Sequence, residues 1–160
     1  MCIRDSIWLV SMSNPLKEDE DIMDFHDRFM SARDIAKKNN FFVSDFEKEY
    51  KTKYSIDTVS KIMELYPDVN FVWVMGSDCA AEISQWKDWE KFLDLIPIAI
   101  YPRPSFEIES NKLDLIKERA KIIGSNNQKG FTKFKPPVIT FIPGPMSDIS
   151  SSQIRKLKDG

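Results

Sequence analysis

The chain has 160 residues, 42% of them hydrophobic, and its 23 basic and 25 acidic side chains leave a net charge of −2. That length suits one globular domain with a buried core, and the even charge balance marks neither a nucleic-acid-binding nor a membrane-facing surface. The longest apolar runs, Phe71 to Met75 and Leu95 to Tyr101, are too short to span a bilayer and the N-terminus has no signal-peptide layout, so the expectation is a cytoplasmic protein.

Met1 to Ser6 shows no periodicity and reads as an extraneous leader, ahead of a single domain over residues 7–160. Ile7 to Val10 is a continuous apolar run, the pattern of a buried parallel strand, and it passes into a polar, Pro-containing loop from Ser11 to Asp21. Phe25, Phe29, Ala32 and Ala36 recur at helical spacing, which predicts a helix over about Ile22 to Lys38 with Arg28, Arg33, Lys37 and Lys38 on its solvated face. Phe41 to Val43 is a second strand and Ser44 to Lys53 a charged loop. Ser55 stands where it would cap a helix carrying Ile56, Val59, Ile62, Met63 and Leu65, which Pro67-Asp68 closes.

Phe71 to Met75 predicts a strand buried on both faces, ending on Gly76 and Asp78. In an open parallel sheet, ligands sit beyond the carboxyl ends of the strands, where Gly76 would admit a close backbone approach and Asp78 would offer acceptor oxygens to a sugar diol. Trp86 and Trp89 supply flat apolar faces nearby; the plain structural alternative is a core strand, a turn and two packing tryptophans. A short helix over Glu90 to Leu95 leads to a strand over Ile96 to Tyr101, with Arg103 aimed by Pro102 and Pro104. Residues from Asn111 to Ile123 follow an imperfect helical pattern, Gly124 to Pro137 reads as a surface excursion, and Val138 to Ile142 is the last strand. A serine-rich helix start, Ile149 to Lys158, would offer hydroxyls, backbone N–H groups and Arg155 to phosphate oxygens, or be no more than a capped terminal helix.

Alternating strands and helices predict an α/β fold, a Rossmann-like parallel sheet with helices on both faces, and right-handed crossovers gather the loops after the strands on one edge. Cys2 and Cys79 form no disulfide framework or zinc motif, Cys79 reading as a small core or helix-start residue. The single histidine, His26, has no ligating companion at metal spacing and reads as a solvated helix residue.

Taken together, Ile7 to Ser11 with Asn14-Pro15-Leu16-Lys17, Arg28 ahead of Ala32, Tyr54 to Thr58, Phe71 to Gly76 with Asp78 to Trp89, Arg103-Pro104 and Ile149 to Arg155 resemble bacterial nicotinate-nucleotide adenylyltransferases of the nucleotidyltransferase α/β phosphodiesterase superfamily. The resemblance implies adenylyl transfer from ATP to nicotinate mononucleotide, giving deamido-NAD and pyrophosphate, with Mg2+ held mainly by the substrate phosphates. It implies an ATP site at Ser151, Ser152, Arg155, Gly76 and Asp78, with Arg155 catalytic. For the mononucleotide it implies Trp86 stacked on the nicotinate ring and Tyr54, Ser55 and Lys87 near its carboxylate, with Arg103, Asn14 and Lys17 as further contacts. The family usually has threonine where Ser55 stands, which keeps the hydroxyl; Asp57 and Thr58 read as helix-start residues.

The first family strand, its glycine-rich turn and its His-x-Gly-His motif have no match here, so the resemblance implies an internal fragment, inactive by itself. A non-catalytic nucleotide-binding module is the alternative of another class, and a pantetheine-phosphate adenylyltransferase a weaker one.

Overall fold

The structure, a computed structural model, describes residues 6–13, 23–39, 41–103, 111–124 and 130–144. The chain divides into two compact units, Met1–Pro67 and Asp68–Gly160.

In the first unit, β1 (Ile7–Leu9) and β2 (Phe42–Ser44) pair in parallel, Ile7 opposite Phe42 and Leu9 opposite Ser44. Parallel strands need a crossover, here α1 (Phe25–Asn39), whose small residues Ala32 and Ala36 are buried. The expectation that the first strand is buried is corrected: Ile7, Trp8 and Phe42 are exposed, since among the described residues these strands form a sheet of two. The charged loop expected over Ser44 to Lys53 contains a helical turn, α2 (Phe46–Glu49), in which buried Phe46 stacks on Tyr50 with ring centroids 4.3 Å apart. One turn is too short to leave a periodic signature. In α3 (Ser55–Leu65), Tyr54 is the cap position, with extended backbone, and Ser55 is the first helical residue, so the capping role expected of Ser55 is not found. Thr58 is buried, as a helix-start structural residue.

The second unit holds a four-stranded parallel sheet in the order β3-β4-β6-β5, from β3 (Trp73–Gly76), β4 (Ile98–Tyr101), β5 (Lys121–Ile122) and β6 (Val138–Phe141). The central strands β4 and β6 are lined by buried Ile98, Ile100, Val138 and Ile139, as continuous apolar runs require. β3 lies at the edge of this sheet, and Val74 is 62% exposed, which corrects the expectation of burial on both faces. After β3 come α4 (Ser77–Ala81), a 3-10 turn (Ile83–Gln85) and α5 (Trp89–Leu95). Phe92 and Leu93 of α5 are buried, while Trp89 is half-buried. Cys79 lies in the middle of α4 and is exposed, which corrects the core reading offered for it.

The helix expected from Asn111 to Ile123 is shorter: a 3-10 turn (Asn111–Leu113), then α6 (Asp114–Arg119), then β5. Arg119 Nη2 bonds both oxygens of Asp94 at 2.9 and 2.7 Å, joining α6 to α5. The surface excursion expected over Gly124 to Pro137 is corrected in part, because Phe131 is buried with Ile123 and Val138, and Phe134 packs against them. Two aromatic anchors in a Lys-, Asn- and Pro-rich stretch escape any periodicity test. The expected helix over Ile149 to Lys158 lies outside the described residues. Among the described residues no helix is long and apolar enough to cross a membrane.

Candidate functional site

The parallel register aligns the ends of β3 and β4, with Gly76 opposite Tyr101. Just past these ends, Asp78 near the start of α4 meets Arg103, whose Nε lies 3.3 Å from Oδ1. Charge rather than a hydrogen bond holds this pair, because Asp78 Oδ1 is buried and finds no hydrogen-bond partner. Ser77, between Gly76 and Asp78, is fully buried, and its Oγ accepts the Arg103 N–H at 2.8 Å.

Gly76 has φ −74° and ψ 157°, a conformation open to any residue, so its role is to leave space. A Cβ at this position would fall on Asp78 Oδ1 and lie 2.8 Å from Arg103 Nε. Beyond β6, a Cβ at Gly144 would lie 2.6 Å from Cε2 and 2.8 Å from the hydroxyl of Tyr101, so this backbone passes close to the ring. The strand exits thus gather a close-approach glycine, a carboxylate, a guanidinium and a phenol, the groups needed to meet a sugar and an anion.

Trp86 follows the 3-10 turn and is half-buried, its ring 5.5 Å from that of buried Phe92, which Trp73 meets edge-on at 5.5 Å. Phe92 packs against the indole at an interplanar angle of 56°. Lys87 beside it is exposed, and Asp88 adopts a left-handed conformation (φ 49°) from which its carboxylate takes Lys91 Nζ at 3.1 Å.

The first unit holds Tyr54 and Ser55, both half-buried, with the Lys53 ammonium 5.9 Å from the centre of the Tyr54 ring. Arg28, expected on a solvated face, instead donates to three carbonyls: Met23 at 2.9 Å, Ser11 at 2.7 Å and Met12 at 2.9 Å. It thereby fastens the chain leaving β1 to the chain entering α1. Glu47 accepts the Met12 N–H at 3.3 Å and lies 3.5 Å from the Thr58 hydroxyl, itself 2.9 Å from that of Thr52. Burial pushes the Glu47 carboxyl above its ordinary value, against the lowering effect of the Met12 and Thr58 bonds. His26 is an exposed helix residue, as expected.

Of the residues singled out in the sequence, the structure brings together Gly76, Asp78 and Arg103, and places Trp86 and Lys87 on the same unit, Tyr54 and Ser55 on the other. Asn14, Lys17, Ser151, Ser152 and Arg155 lie outside the described residues, as does Pro104. Sequence reasoning missed Ser77, Tyr101 and Gly144; a serine directly after a strand-ending glycine was the one available signal. Among the described residues no group of three or more His, Cys, Asp or Glu side chains could hold a metal ion.

Residues 3–157 match the cytidylyltransferase-like family. The chain belongs to this family. Similar curated relatives of this cytidylyltransferase-like chain include the probable nicotinate-nucleotide adenylyltransferases of Parvibaculum lavamentivorans, 32% identical across 98% of the chain and 81% of that protein, and of Brucella suis, 31% identical across 94% and 78%. Among solved structures, the Plasmodium falciparum nicotinic acid mononucleotide adenylyltransferase complexed with NaAD superposes with a TM-score of 0.69 at 22% identity, over 96% of this chain and 69% of that one. The same protein complexed with APC gives 0.68 at 22% identity, over 96% and 68%. The structural likeness establishes the α/β fold with parallel sheets, and the family is one of nucleotidyltransferases.

Proposed function

We propose that this chain belongs to an enzyme that transfers the adenylyl group of ATP to nicotinate mononucleotide, yielding deamido-NAD and pyrophosphate in the cytoplasm. The observation that carries the reading is the cluster of Gly76, Asp78 and Arg103 at the exit of the parallel strands. There a nucleotide would find an acceptor oxygen of Asp78 for its ribose hydroxyls and the Arg103 cation for its phosphates, both side chains seated in the space that Gly76 leaves. The relatives share the reading by name.

The chemistry asks little of acid/base side chains. The attacking group is a phosphate oxygen already ionised at neutral pH, so catalysis consists of aligning it with the α-phosphate and neutralising charge there. In this proposal Ser151, Ser152 and Arg155 take ATP phosphates, Arg155 acting on the reacting group, while Asn14 and Lys17 add contacts to the mononucleotide; Arg103, expected among those contacts, is assigned to ATP instead because it pairs with Asp78. Magnesium would be held mainly by the substrate phosphates, with water completing its shell; Asp78, the carboxylate of the cluster, is already engaged with Arg103. Trp86 covers the nicotinate ring, with Tyr54, Ser55 and the Lys87 backbone toward its carboxylate. N–H and O–H donors around a carboxylate would favour the acid over the amide.

Fluorescence titration of nicotinate mononucleotide, its nicotinamide counterpart and pantetheine phosphate tests the assignment. The expected result is tightest binding of the acid, with quenching lost in Trp86→Ala. Preference for pantetheine phosphate would replace the reading with the sister activity. The 160 residues contain one histidine, which favours, as a second reading, a module that binds nucleotides without turning them over. Binding without pyrophosphate release by the product of the verified complete gene would support that reading, and pyrophosphate release by it would exclude it.

A further inference from the structure

Arg103 poses a physical problem that its visible ion pair does not solve. The guanidinium side chain is 56% exposed, and the buried Asp78 oxygen that faces it accepts no hydrogen bond, so the pair is held by charge alone, screened by water on the arginine side and offset by side-chain entropy. Such a pair cannot by itself hold a long side chain over the strand exits. Ser77 supplies the missing constraint. Its hydroxyl is fully buried and accepts the Arg103 backbone N–H at 2.8 Å, fixing the chain at the base of the arginine. The side chain then has only its own rotamers to settle before it reaches Asp78.

We propose that Ser77 is a positioning residue for nucleotide binding, holding the Arg103 backbone so that the guanidinium and the Asp78 carboxylate are set before ATP arrives. This inference rests on the ATP site proposed above. Ser77 belongs to the same turn as Gly76 and Asp78, so a single turn of chain performs three tasks. Gly76 leaves the space, Asp78 supplies the acceptor, and Ser77 ties the turn to the loop after β4. Preorganisation of this kind raises affinity by lowering the ordering cost at binding.

Ser77→Ala removes the acceptor while leaving the small buried volume nearly unchanged. ATP titrated calorimetrically into Ser77→Ala should bind roughly fivefold more weakly than into the unsubstituted chain, within the range for one lost backbone hydrogen bond. Affinity for nicotinate mononucleotide should fall less than twofold, since Arg103 is assigned to ATP; an equal loss for both nucleotides would overturn that assignment. Amide hydrogen exchange at Arg103 should quicken. The decisive comparison is the double-mutant cycle with Arg103→Ala: if Ser77 acts through Arg103, Ser77→Ala costs nothing further in that background. Additive losses, or unchanged exchange at Arg103, would overturn the proposal. Failure of the unsubstituted chain to bind ATP would instead overturn the proposed function, and Arg103 exchange would still decide whether Ser77 fixes its backbone.

Discussion

Replacing Gly76 by alanine separates the space that the site needs from the stability of the fold. The backbone at Gly76 suits alanine, and the methyl group would meet side-chain atoms only, Asp78 Oδ1 and then Arg103 Nε at 2.8 Å and Cδ at 3.4 Å. Both side chains can swing aside at the cost of their partly exposed ion pair, about 0–1 kcal/mol. Alanine recovers about 0.4–1 kcal/mol by restricting the unfolded chain, so the two effects nearly cancel. The urea midpoint should therefore move by the equivalent of less than about 1 kcal/mol. ATP affinity should fall at least about tenfold, because a displaced carboxylate or guanidinium forfeits a charged hydrogen bond to the nucleotide, about 1.5–3 kcal/mol. Urea unfolding followed by circular dichroism, together with ATP titration, measures both. A loss of several kcal/mol in stability with ATP binding intact would show that Gly76 serves packing, and the assignment would be wrong.

Other substitutions probe the remaining parts. Trp86→Ala should raise the dissociation constant for nicotinate mononucleotide far more than that for ATP; equal effects would remove Trp86 from the ring-stacking role. Arg28→Ala deletes the donor to three carbonyls and should cost the first unit about 1–3 kcal/mol, seen as faster amide exchange in α1 and β1, whereas unchanged exchange would make those bonds idle. Glu47 has a folded pKa raised above its ordinary 4.5, so between these values the native state binds more protons than the unfolded chain, and its contribution to stability falls as pH rises. The stability of the unsubstituted chain relative to Glu47→Gln should thus decline from below pH 4.5 upward and level off above the raised value; a flat difference would contradict the burial effect.

Parallel pairing, the order of the longer helices and the position of the glycine–acid turn were legible because period and apolar run length report directly on burial. Exposure of Val74 was not, since a run of apolar residues looks the same on an edge strand as on a central one. The one-turn helix at Phe46 and the two-residue strand at Lys121 are too short to carry a period. At the site, Gly76 and Asp78 were visible as types, but their connection to Arg103 spans 25 residues from Asp78 and runs through the Ser77 hydroxyl, which only the sheet register brings within reach. Arg28 was misread for a related reason: a basic residue on a helix looks solvated until the loop carbonyls of Ser11 and Met12 are seen around it.

Calorimetric titration of magnesium ATP and then of nicotinate mononucleotide into the 160-residue chain, with Gly76→Ala and Trp86→Ala in parallel, tests the central claim. The account predicts saturable one-to-one binding of each, the first weakened by Gly76→Ala and the second by Trp86→Ala. Absence of binding by either nucleotide in the correctly folded chain would contradict it.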